Sequence, residues 1–362
     1  MLRRLRDCAF IVVAVTAVTA VTVATIQATP QSTPPASVCR IETSERIVAV
    51  GDVHGAYDRF VAILRAAGLV DGRARWTGGR SILVQTGDVL DRGPASRRVL
   101  DLLRQLERDA ARAGGQVHAL IGNHEVMRIV GQWNDVSAAE YAAFRRHDSD
   151  EVRERLYTIL SADAAKRARA AEQRFDADAF RRQFHKEIPL GYVEMRQAFG
   201  PTGEYGTWLR QHSAMVMING VAFVHGGVDP GTSALGCDGI NAGVRQDVTT
   251  PDPTHEQILA MLSVKETGPL WYRGLVQGPP PPDVGAILKT LGARALVVGH
   301  TPVTGSPIAP RFQNRVFPID TGMLGGTFYP QGVASALEIQ GDRVTAIYEQ
   351  RREPLGSLPA PQ

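Results

Sequence analysis

The sequence predicts an α/β fold, and two kinds of segment support this prediction. Short apolar runs at residues 47–50, 81–86 and 117–121 indicate buried strands, and each ends in a glycine followed by polar residues. The segments between them, at residues 57–68 and 94–113, carry apolar residues at helical spacing. Because strands that alternate with helices form βαβ units, we expect this half of the chain to build a parallel sheet.

Strand patterns return in the second half of the chain. Residues 214–218 and 221–224 flank Asn219-Gly220, a dipeptide typical of a two-residue hairpin turn. Another apolar run, at residues 295–298, ends in Gly-His. We expect three later strands, at residues 316–319, 333–339 and 343–348, to form a second, more antiparallel sheet.

Residues 1–28 have the composition of an export signal. Three arginines lie within residues 1–6, and residues 8–26 carry no charge. Because the apolar run approaches membrane-spanning length, an uncleaved anchor that tethers the chain through residues 9–26 is the alternative. We expect residues 29–44 to form a flexible linker. The sequence therefore predicts an exported protein, in a bacterial periplasm or anchored facing it.

The rest of the chain is divided into one large domain and a short end. Residues 45–350 form the predicted large domain, and residues 351–362 are expected to be a flexible tail. Residues 134–200 are crowded with charged residues and alanine, and they predict a helical insertion whose role the sequence leaves open. Its basic residues are interleaved with acidic ones, which favours solvated helix faces over a binding patch.

The net charge of the chain argues against one class of partner, and its cysteines bear on the compartment in which it folds. The formal net charge of +3 is small for 362 residues, so no nucleic-acid partner is expected. Cys39 and Cys237 are the two cysteines outside the export segment. An oxidising compartment would permit a disulfide between them. Two separate thiols are the alternative, and the oligomeric state is also open.

Polar residues capable of binding metal follow several of the predicted strands. Because parallel strands place their carboxyl ends at one edge of a sheet, we expect these residues to converge there. Imidazole, carboxylate and amide ligands without cysteine favour Mn, Fe or Zn, and two such ions about 3.5–4 Å apart are the arrangement of two-metal phosphatases. The candidate ligands are Asp52, His54, Asp88, Asn123, His225 and His300.

These strand ends, taken in order, resemble the motif set of the calcineurin-like metallophosphoesterases. Asp-Arg-Gly and Asn-His-Glu are the forms seen in the phosphoprotein phosphatase branch, and Leu-Trp-Tyr-Arg-Gly at residues 270–274 resembles the bacterial Shewanella-like protein phosphatases. The motifs are Gly-Asp-Val-His-Gly at residues 51–55, Gly-Asp-Val-Leu-Asp-Arg-Gly at 87–93, Gly-Asn-His-Glu at 122–125, His-Gly-Gly at 225–227 and Gly-His at 299–300.

The resemblance implies a fold and a set of ligands. The fold is an αββα sandwich of two mixed β-sheets flanked by helices, with a helical insertion. Asp52, His54 and Asp88 would bind the first metal ion, and Asn123 would contact both metal and substrate. The second ion would be held by Asp88, Asn123, His225 and His300.

The resemblance also implies catalytic roles. His124 would be the general acid that protonates the leaving oxygen, with Asp91 holding its ring in one tautomer. Arg92 and Arg273 would bind the phosphoryl oxygens, because a planar guanidinium pairs with phosphate through two hydrogen bonds. Tyr272, beside Arg273, is a further candidate for the substrate pocket, with a packing role as the alternative.

The predicted function is that of a two-metal phosphomonoesterase. It would hydrolyse phosphotyrosine or phosphoserine/threonine esters of proteins or peptides by in-line attack of a metal-bridging hydroxide. One alternative is a hydrolase of dinucleoside polyphosphates or other small phosphoesters. An alternative of another class is a non-catalytic, metal-stabilised binding protein on the cell surface. Asp91, Arg92 and His124 argue against it, because metal binding alone does not need them.

Overall fold

The computed structural model describes residues 39–278, 282–305 and 307–360. The predicted export segment of residues 1–28 lies outside the described residues, as does most of the predicted linker. No helix in the described part of the chain is long and apolar enough to cross a membrane.

Strands in the described ranges form two sheets. The six-stranded sheet has the order β11-β10-β9-β2-β3-β4, and the five-stranded sheet has the order β1-β5-β6-β7-β8. The strands are β1 (Arg40–Ile41), β2 (Ile47–Val50), β3 (Ile82–Gln85), β4 (Gln116–Ala119), β5 (Met215–Ile218), β6 (Val221–Val224), β7 (Ala295–Val298), β8 (Val316–Pro318), β9 (Ser335–Gln340), β10 (Arg343–Tyr348) and β11 (Arg352–Ser357).

The helices of the described residues connect and cover these strands. They are α1 (Tyr57–Ala66), α2 (Ser96–Arg112), α3 (Asn123–Ile129), α4 (Ala138–Ala142), α5 (Ser149–Ala170), α6 (Ala177–Glu187), α7 (Tyr192–Phe199), α8 (Glu204–Leu209), α9 (Pro230–Ser233), α10 (Gly236–Thr249), α11 (His255–Ala260) and α12 (Val284–Leu291).

The two sheets pack face to face, and helices cover their outer faces. Along β2, Ile47 and Ala49 point into the core between the sheets, whereas Val48 and Val50 pack with α1 and α2. On the other sheet, α10 and α12 cover the outer face through Ile240 and Leu288, among others. Each central strand is therefore buried on both sides, which is why its sequence is continuously apolar. The predicted αββα sandwich is confirmed.

The parallel half and the hairpin were predicted correctly. β2, β3 and β4 pair in parallel, so their carboxyl ends share one edge. β5 and β6 pair in an antiparallel hairpin. Asn219 and Gly220 both have positive φ, the backbone conformation that a two-residue turn of this type requires.

The prediction for the last strands was wrong in its pairing. β8 lies parallel to β7 in the five-stranded sheet, whereas β9 pairs antiparallel with β2 and extends the other sheet through β10. The apolar pattern of a strand reports that it is buried, but it does not specify which strand lies beside it.

Each of the two segments predicted to be flexible contains a strand. Arg352–Ser357, in the predicted tail, forms β11 and pairs antiparallel with β10. Arg40–Ile41, in the predicted linker, forms β1 and pairs with β5. Both segments are held by backbone hydrogen bonds to a neighbouring strand, which their own short sequences do not indicate.

Residues 147–190 form a compact unit of their own. It contains α5 and α6. The carboxylate of Glu154 on α5 lies 2.6 Å from the guanidinium of Arg181 and 3.0 Å from the imidazole of His185, both on α6. Tyr157 packs against Phe184 at a ring distance of 5.4 Å. This unit is narrower than the helical insertion predicted for residues 134–200, because α4 and α7 belong to the second, larger unit of the chain.

Cys39 and Cys237 form a disulfide bond, which the sequence left open. The bond joins the chain just before β1 to the first turn of α10, and both residues are buried. Asn241 donates a hydrogen bond to Cys39 Sγ at 3.1 Å and to the carbonyl oxygen of Met215 at 2.9 Å. The first strand of the five-stranded sheet is therefore fastened covalently to a covering helix.

We expect the Cys39→Ser/Cys237→Ser double variant to unfold more easily. The cross-link spans 198 residues, so its removal frees a long loop in the unfolded chain and should lower the free energy of unfolding by about 2–5 kcal/mol. Urea unfolding of the oxidised protein and of the double variant measures this loss. A reductant should lower the free energy of unfolding of the natural protein and leave that of the double variant unchanged. Equal free energies of unfolding of the two proteins without reductant would contradict the prediction.

Candidate metal centre and active site

The predicted metal ligands lie together at the carboxyl ends of strands from both sheets. All are at most 5% exposed, so their polar atoms need partners other than water. The structure places Asp52 and His54 after β2, Asp88 after β3, Asn123 at the first residue of α3, His225 after β6 and His300 after β7.

One cluster of possible ligand atoms comprises His54, Asp88 and His124, which lie within 4.8 Å of one another. His54 Nε2 is 3.8 Å from Oδ2 of Asp52 and 3.8 Å from Oδ2 of Asp88. His54 Nδ1 lies 2.8 Å from the carbonyl oxygen of Leu90, to which it donates its hydrogen. Nε2 therefore keeps its lone pair, as in a metal-binding histidine.

A second cluster comprises Asp88, His225 and His300, again with ligand atoms within 4.8 Å of one another. His225 Nδ1 is held by the carbonyl oxygen of Thr86 at 3.0 Å. Its Nε2 lies 2.9 Å from Oδ1 of Asn123 and 3.3 Å from Oδ1 of Asp88. His300 Nε2 is buried and has no hydrogen-bond partner in the described residues. Asp88 belongs to both clusters, so it is the residue that two bound ions would share.

The electrostatics of the site fit cations. Burial, reinforced by the nearby Asp320 and Asp88, raises the pKa of Asp52 well above its usual value. Burial likewise raises the pKa of Asp320 to about 6, and within the described ranges its Oδ2 has no hydrogen-bond partner. Burial lowers the pKa of His54 to about 3 and that of His300 to about 2, so both rings are neutral. Crowded carboxylates and neutral imidazoles are a donor set that suits a pair of divalent ions.

The backbone is strained where these side chains leave the strands. His54, Asp88, Asp91, Arg92 and His300 all have φ between 47° and 69°, a region that residues other than glycine rarely adopt. Such conformations persist only where surrounding contacts enforce them, and they concentrate at functional sites.

Glu125 supplies part of that enforcement. Its carboxylate accepts hydrogen bonds from the backbone N–H groups of Asp88 and Gly122 at 2.8 Å each, and of Val89 at 3.0 Å. A side chain at Gly122 would collide with Asp88. Glu125 therefore fixes the turn that carries Asp88.

His124 and Asp91 form a buried pair. His124 Nδ1 donates to Oδ2 of Asp91 at 2.7 Å, and the backbone N–H of His124 donates to Oδ1 of Asp88 at 2.9 Å. Burial disfavours the protonated ring, but the carboxylates of Asp88 and Asp91 outweigh this and raise the pKa of His124. A protonated His124 is the form that a general acid requires.

Arg92 reaches into the site between two histidines. Its Nη2 lies 3.1 Å from His124 Nε2, and its Nη1 lies 2.5 Å from His54 Nε2. The same Nη1 donates to the hydroxyl of Tyr329, whose ring stacks beside that of His54. Burial raises the pKa of Tyr329, so the hydroxyl stays protonated.

Tyr329 is the site residue that sequence reasoning missed. It lies in the loop between β8 and β9 and follows no strand-end motif, and 237 residues separate it from Arg92. The glycine-rich composition of residues 322–332 was the available signal, since it marks a loop that packs closely.

The 270–274 segment lies beside the second cluster. Arg273 Nη1 donates to the carbonyl oxygen of His300 at 2.8 Å, which places the guanidinium beside the second cluster. The ring of Trp271 contacts that of His300 at 5.5 Å. Tyr272 has no described contact with the metal ligands, so its predicted substrate role stays a prediction.

The family model of the calcineurin-like phosphoesterases matches residues 45–304. The chain belongs to this family. The match includes every predicted ligand and the His124–Asp91 pair, and it ends before the loop of Tyr329. This phosphoesterase is therefore a metal-dependent hydrolase with a binuclear divalent-metal site.

Individual relatives give the same picture. The chain is 26% identical over 313 residues to Shewanella-like protein phosphatase 1 of Plasmodium berghei, covering 85% of this chain and 75% of that protein. It is 46% identical over 98 residues to Shewanella-like protein phosphatase 2 of Arabidopsis thaliana, 27% of this chain and 25% of the relative. The crystal structure of a cold-active protein-tyrosine phosphatase from a psychrophilic Shewanella superposes with a TM-score of 0.64 at 25% identity, covering 88% and 82%.

We expect Tyr329→Phe to weaken substrate binding by the phosphoesterase. Without the hydroxyl, Arg92 loses an acceptor that orients it, so KM should rise about 3–10-fold while kcat changes less. The measurement is steady-state kinetics on a phosphopeptide, together with the inhibition constant of inorganic phosphate.

Tyr205→Phe is the matched control for this prediction. It also removes the hydroxyl of a buried tyrosine, on α8, which donates a hydrogen bond to Asp101 of α2 at 2.7 Å. KM should be unchanged in this control. An unchanged KM and phosphate inhibition constant in Tyr329→Phe would show that the Arg92 contact does not serve binding.

Proposed function

We propose that this phosphoesterase is an exported protein phosphatase that removes the phosphoryl group from phosphotyrosine, with phosphoserine and phosphothreonine as poorer substrates. Two kinds of relative support this choice of substrate. The Plasmodium berghei and Arabidopsis thaliana relatives are named protein phosphatases, and the superposed Shewanella enzyme is named a protein-tyrosine phosphatase.

One observation carries the proposal. A histidine held by a buried carboxylate stands next to an arginine at the edge of the metal ligands, with 3.1 Å between His124 Nε2 and Arg92 Nη2. Hydrolysis of a phosphomonoester needs a phosphate-binding group and a proton for the leaving oxygen, side by side. A protein that only bound metal would need neither, which argues against the non-catalytic alternative.

The chain's own residues then have distinct tasks. When bound, the metal ions would stabilise charge on the phosphoryl group and activate water. The guanidinium of Arg92 binds two phosphoryl oxygens and orients the ester. The Nε2–H of His124 donates its proton to the leaving oxygen, while the Nδ1–H stays bonded to Asp91. Arg273, whose Nη1 donates to the carbonyl oxygen of His300 at 2.8 Å, would bind a further phosphoryl oxygen.

The identity of the metals is part of the proposal. Imidazole and carboxylate donors favour Mn, Fe or Zn over Ca or Mg, because nitrogen ligands suit transition metals. Elemental analysis of protein purified without chelator measures this. Two equivalents of any of these three metals support the proposal, and Mg or Ca alone contradicts it.

Export is supported by two features that lie far apart in the chain. Residues 1–28 have the composition of a signal, and the disulfide between Cys39 and Cys237 is of a kind that persists in oxidising compartments. Cell fractionation tests the proposal. A periplasmic product that begins at Thr29 supports cleavage, a membrane-bound product supports the tether, and a full-length cytosolic product contradicts export.

The test of the activity is a comparison of substrates. The exported protein is stripped with chelator, given Mn²⁺, and assayed on phosphotyrosine and phosphoserine versions of one peptide and on diadenosine tetraphosphate. Faster turnover of the phosphotyrosine peptide supports the proposal. Preference for the dinucleotide would move the assignment to small phosphoesters, and no metal-dependent turnover of any substrate would favour the binding protein.

A further inference from the structure

Arg128 is a buried charge that the predicted mechanism does not use. It lies on α3 four residues after His124, so the two side chains share one face of the helix. Its side chain is fully buried, and its Nη2 donates to Oδ1 of Asp91. The other oxygen of the same carboxylate, Oδ2, is the one that accepts from His124.

The surroundings fix the guanidinium in place. Its Nη1 donates to the carbonyl oxygen of Gln132 at 2.8 Å, and its plane lies over the ring of Trp133 at 4.3 Å from the centroid. Stacking on one side and hydrogen bonds at the edge leave the guanidinium little freedom to turn.

Asp91 itself needs such support. Its backbone is in the left-handed region at φ 69°, as is that of Arg92 at φ 66°. The backbone N–H of Asp91 donates to Glu140 at 3.3 Å, and that of Arg92 donates to the carbonyl oxygen of Asp135 at 3.0 Å. Without Arg128, the buried carboxylate of Asp91 would lose the guanidinium bonded to its Oδ1, while the carboxylate of Glu140 stays 3.3 Å from the Asp91 backbone nitrogen.

We propose that Arg128 is a positioning residue that orients the His124 general acid by clamping the far oxygen of Asp91. By holding Oδ1, Arg128 fixes the rotation of the carboxylate and aims Oδ2 at His124 Nδ1. The imidazole then directs Nε2 at the leaving oxygen. In the described residues Arg128 hydrogen-bonds to Asp91 and to the backbone of Gln132, and neither is a predicted metal ligand, so we infer that it acts through Asp91. This inference rests on the proposed function, in which His124 is the proton donor.

The inference predicts a loss that depends on the leaving group. A phenolate with a high pKa needs the proton from His124, whereas 4-nitrophenolate leaves readily without it. In Arg128→Met, kcat on phenyl phosphate should fall about 10–100-fold, which is part of the effect of a general acid, and kcat on 4-nitrophenyl phosphate by less than about 3-fold. KM for both substrates and the metal content should stay unchanged.

Two further variants keep the test decisive. Arg128→Lys retains the buried charge but not the planar fork, so it should fold well and show the same selective loss to a smaller degree. Arg294→Met is the matched control, because Arg294 is also buried and paired, with Asp342 at 2.7 Å, but it precedes β7 and so lies at the opposite end of that strand from His300. This control should lose stability without any leaving-group selectivity.

His124→Ala, assayed on the same two substrates, separates the inference from the function on which it rests. If His124→Ala loses both activities equally, the general-acid role fails and the inference fails with it. If His124→Ala discriminates between the substrates and neither Arg128 variant does, the inference alone is wrong. Selective loss in His124→Ala and in Arg128→Lys, with metal retained, supports both.

Discussion

Replacement of His124 by alanine is expected to lower turnover of a poor leaving group by about 10²–10⁴-fold, the usual contribution of a general acid. The physical reason is the unprotonated leaving oxygen, whose developing charge then has no proton donor. His124 is 2% exposed and bonded to Asp91 at 2.7 Å, so water cannot readily replace its Nε2–H in the same orientation.

The metals should remain in His124→Ala. His54 and Asp88 of the first cluster remain, Asp52 Oδ2 lies 3.8 Å from His54 Nε2, and the second cluster does not include His124. Elemental analysis and kinetics on phenyl phosphate and 4-nitrophenyl phosphate check both parts of the expectation.

The matched control for His124→Ala is His255→Ala. His255 is exposed at the start of α11, so its removal should change neither metal content nor rate. An unchanged rate on phenyl phosphate in His124→Ala would refute its role as proton donor. Loss of metal from that variant would instead assign His124 to the ligands, a role that its place in the first cluster permits.

The Asp88→Asn variant is expected to lose at least one of its two metal ions and nearly all activity. Asp88 is the only member shared by the two ligand clusters of the described residues. The neutral amide of the substituted asparagine has one negative charge and one oxygen donor fewer than the carboxylate that both metal positions share. Hard cations bind amides more weakly than carboxylates.

Metal stoichiometry and activity are measured together in this experiment, before and after addition of excess Mn²⁺. The control is Asp283→Asn, because Asp283 caps α12 at 3.0 Å from the backbone nitrogen of Ala286, and asparagine caps helices equally well. Two metal ions bound at full occupancy in Asp88→Asn would rule out Asp88 as the bridging ligand.

The parts of this protein that could be predicted are those encoded within a few residues. An apolar run followed by Gly-Asp-x-His-Gly contains both a buried strand and the polar residues at its end, so β2, Asp52 and His54 follow from one short stretch. The same holds for Asp88 after β3 and for His300 after β7. Convergence of these strand ends followed from the parallel pairing that βαβ units impose.

What could not be predicted depends on contacts between distant segments. β9 pairs with β2 and not with β8, although β8 and β9 are consecutive strands, and nothing in the six residues of β9 identifies that neighbour. Tyr329 reaches Arg92 because its loop returns to the site after β8. Arg128 is one arginine among many in the sequence, and only its burial against Asp91 distinguishes it.

The sequence by itself determined the α/β class, because local patterns specify strands, turns and the side chains at their ends. Through the resemblance of its strand-end motifs it also indicated the family and the αββα fold, and it predicted the ligands. The tertiary structure decided the division of the strands between the sheets and the pairing of Cys39 with Cys237. It also decided which tyrosine and which buried arginine serve the active site. These depend on packing across the sandwich, where residues far apart in the chain exclude water together and must satisfy each other's charges and hydrogen bonds.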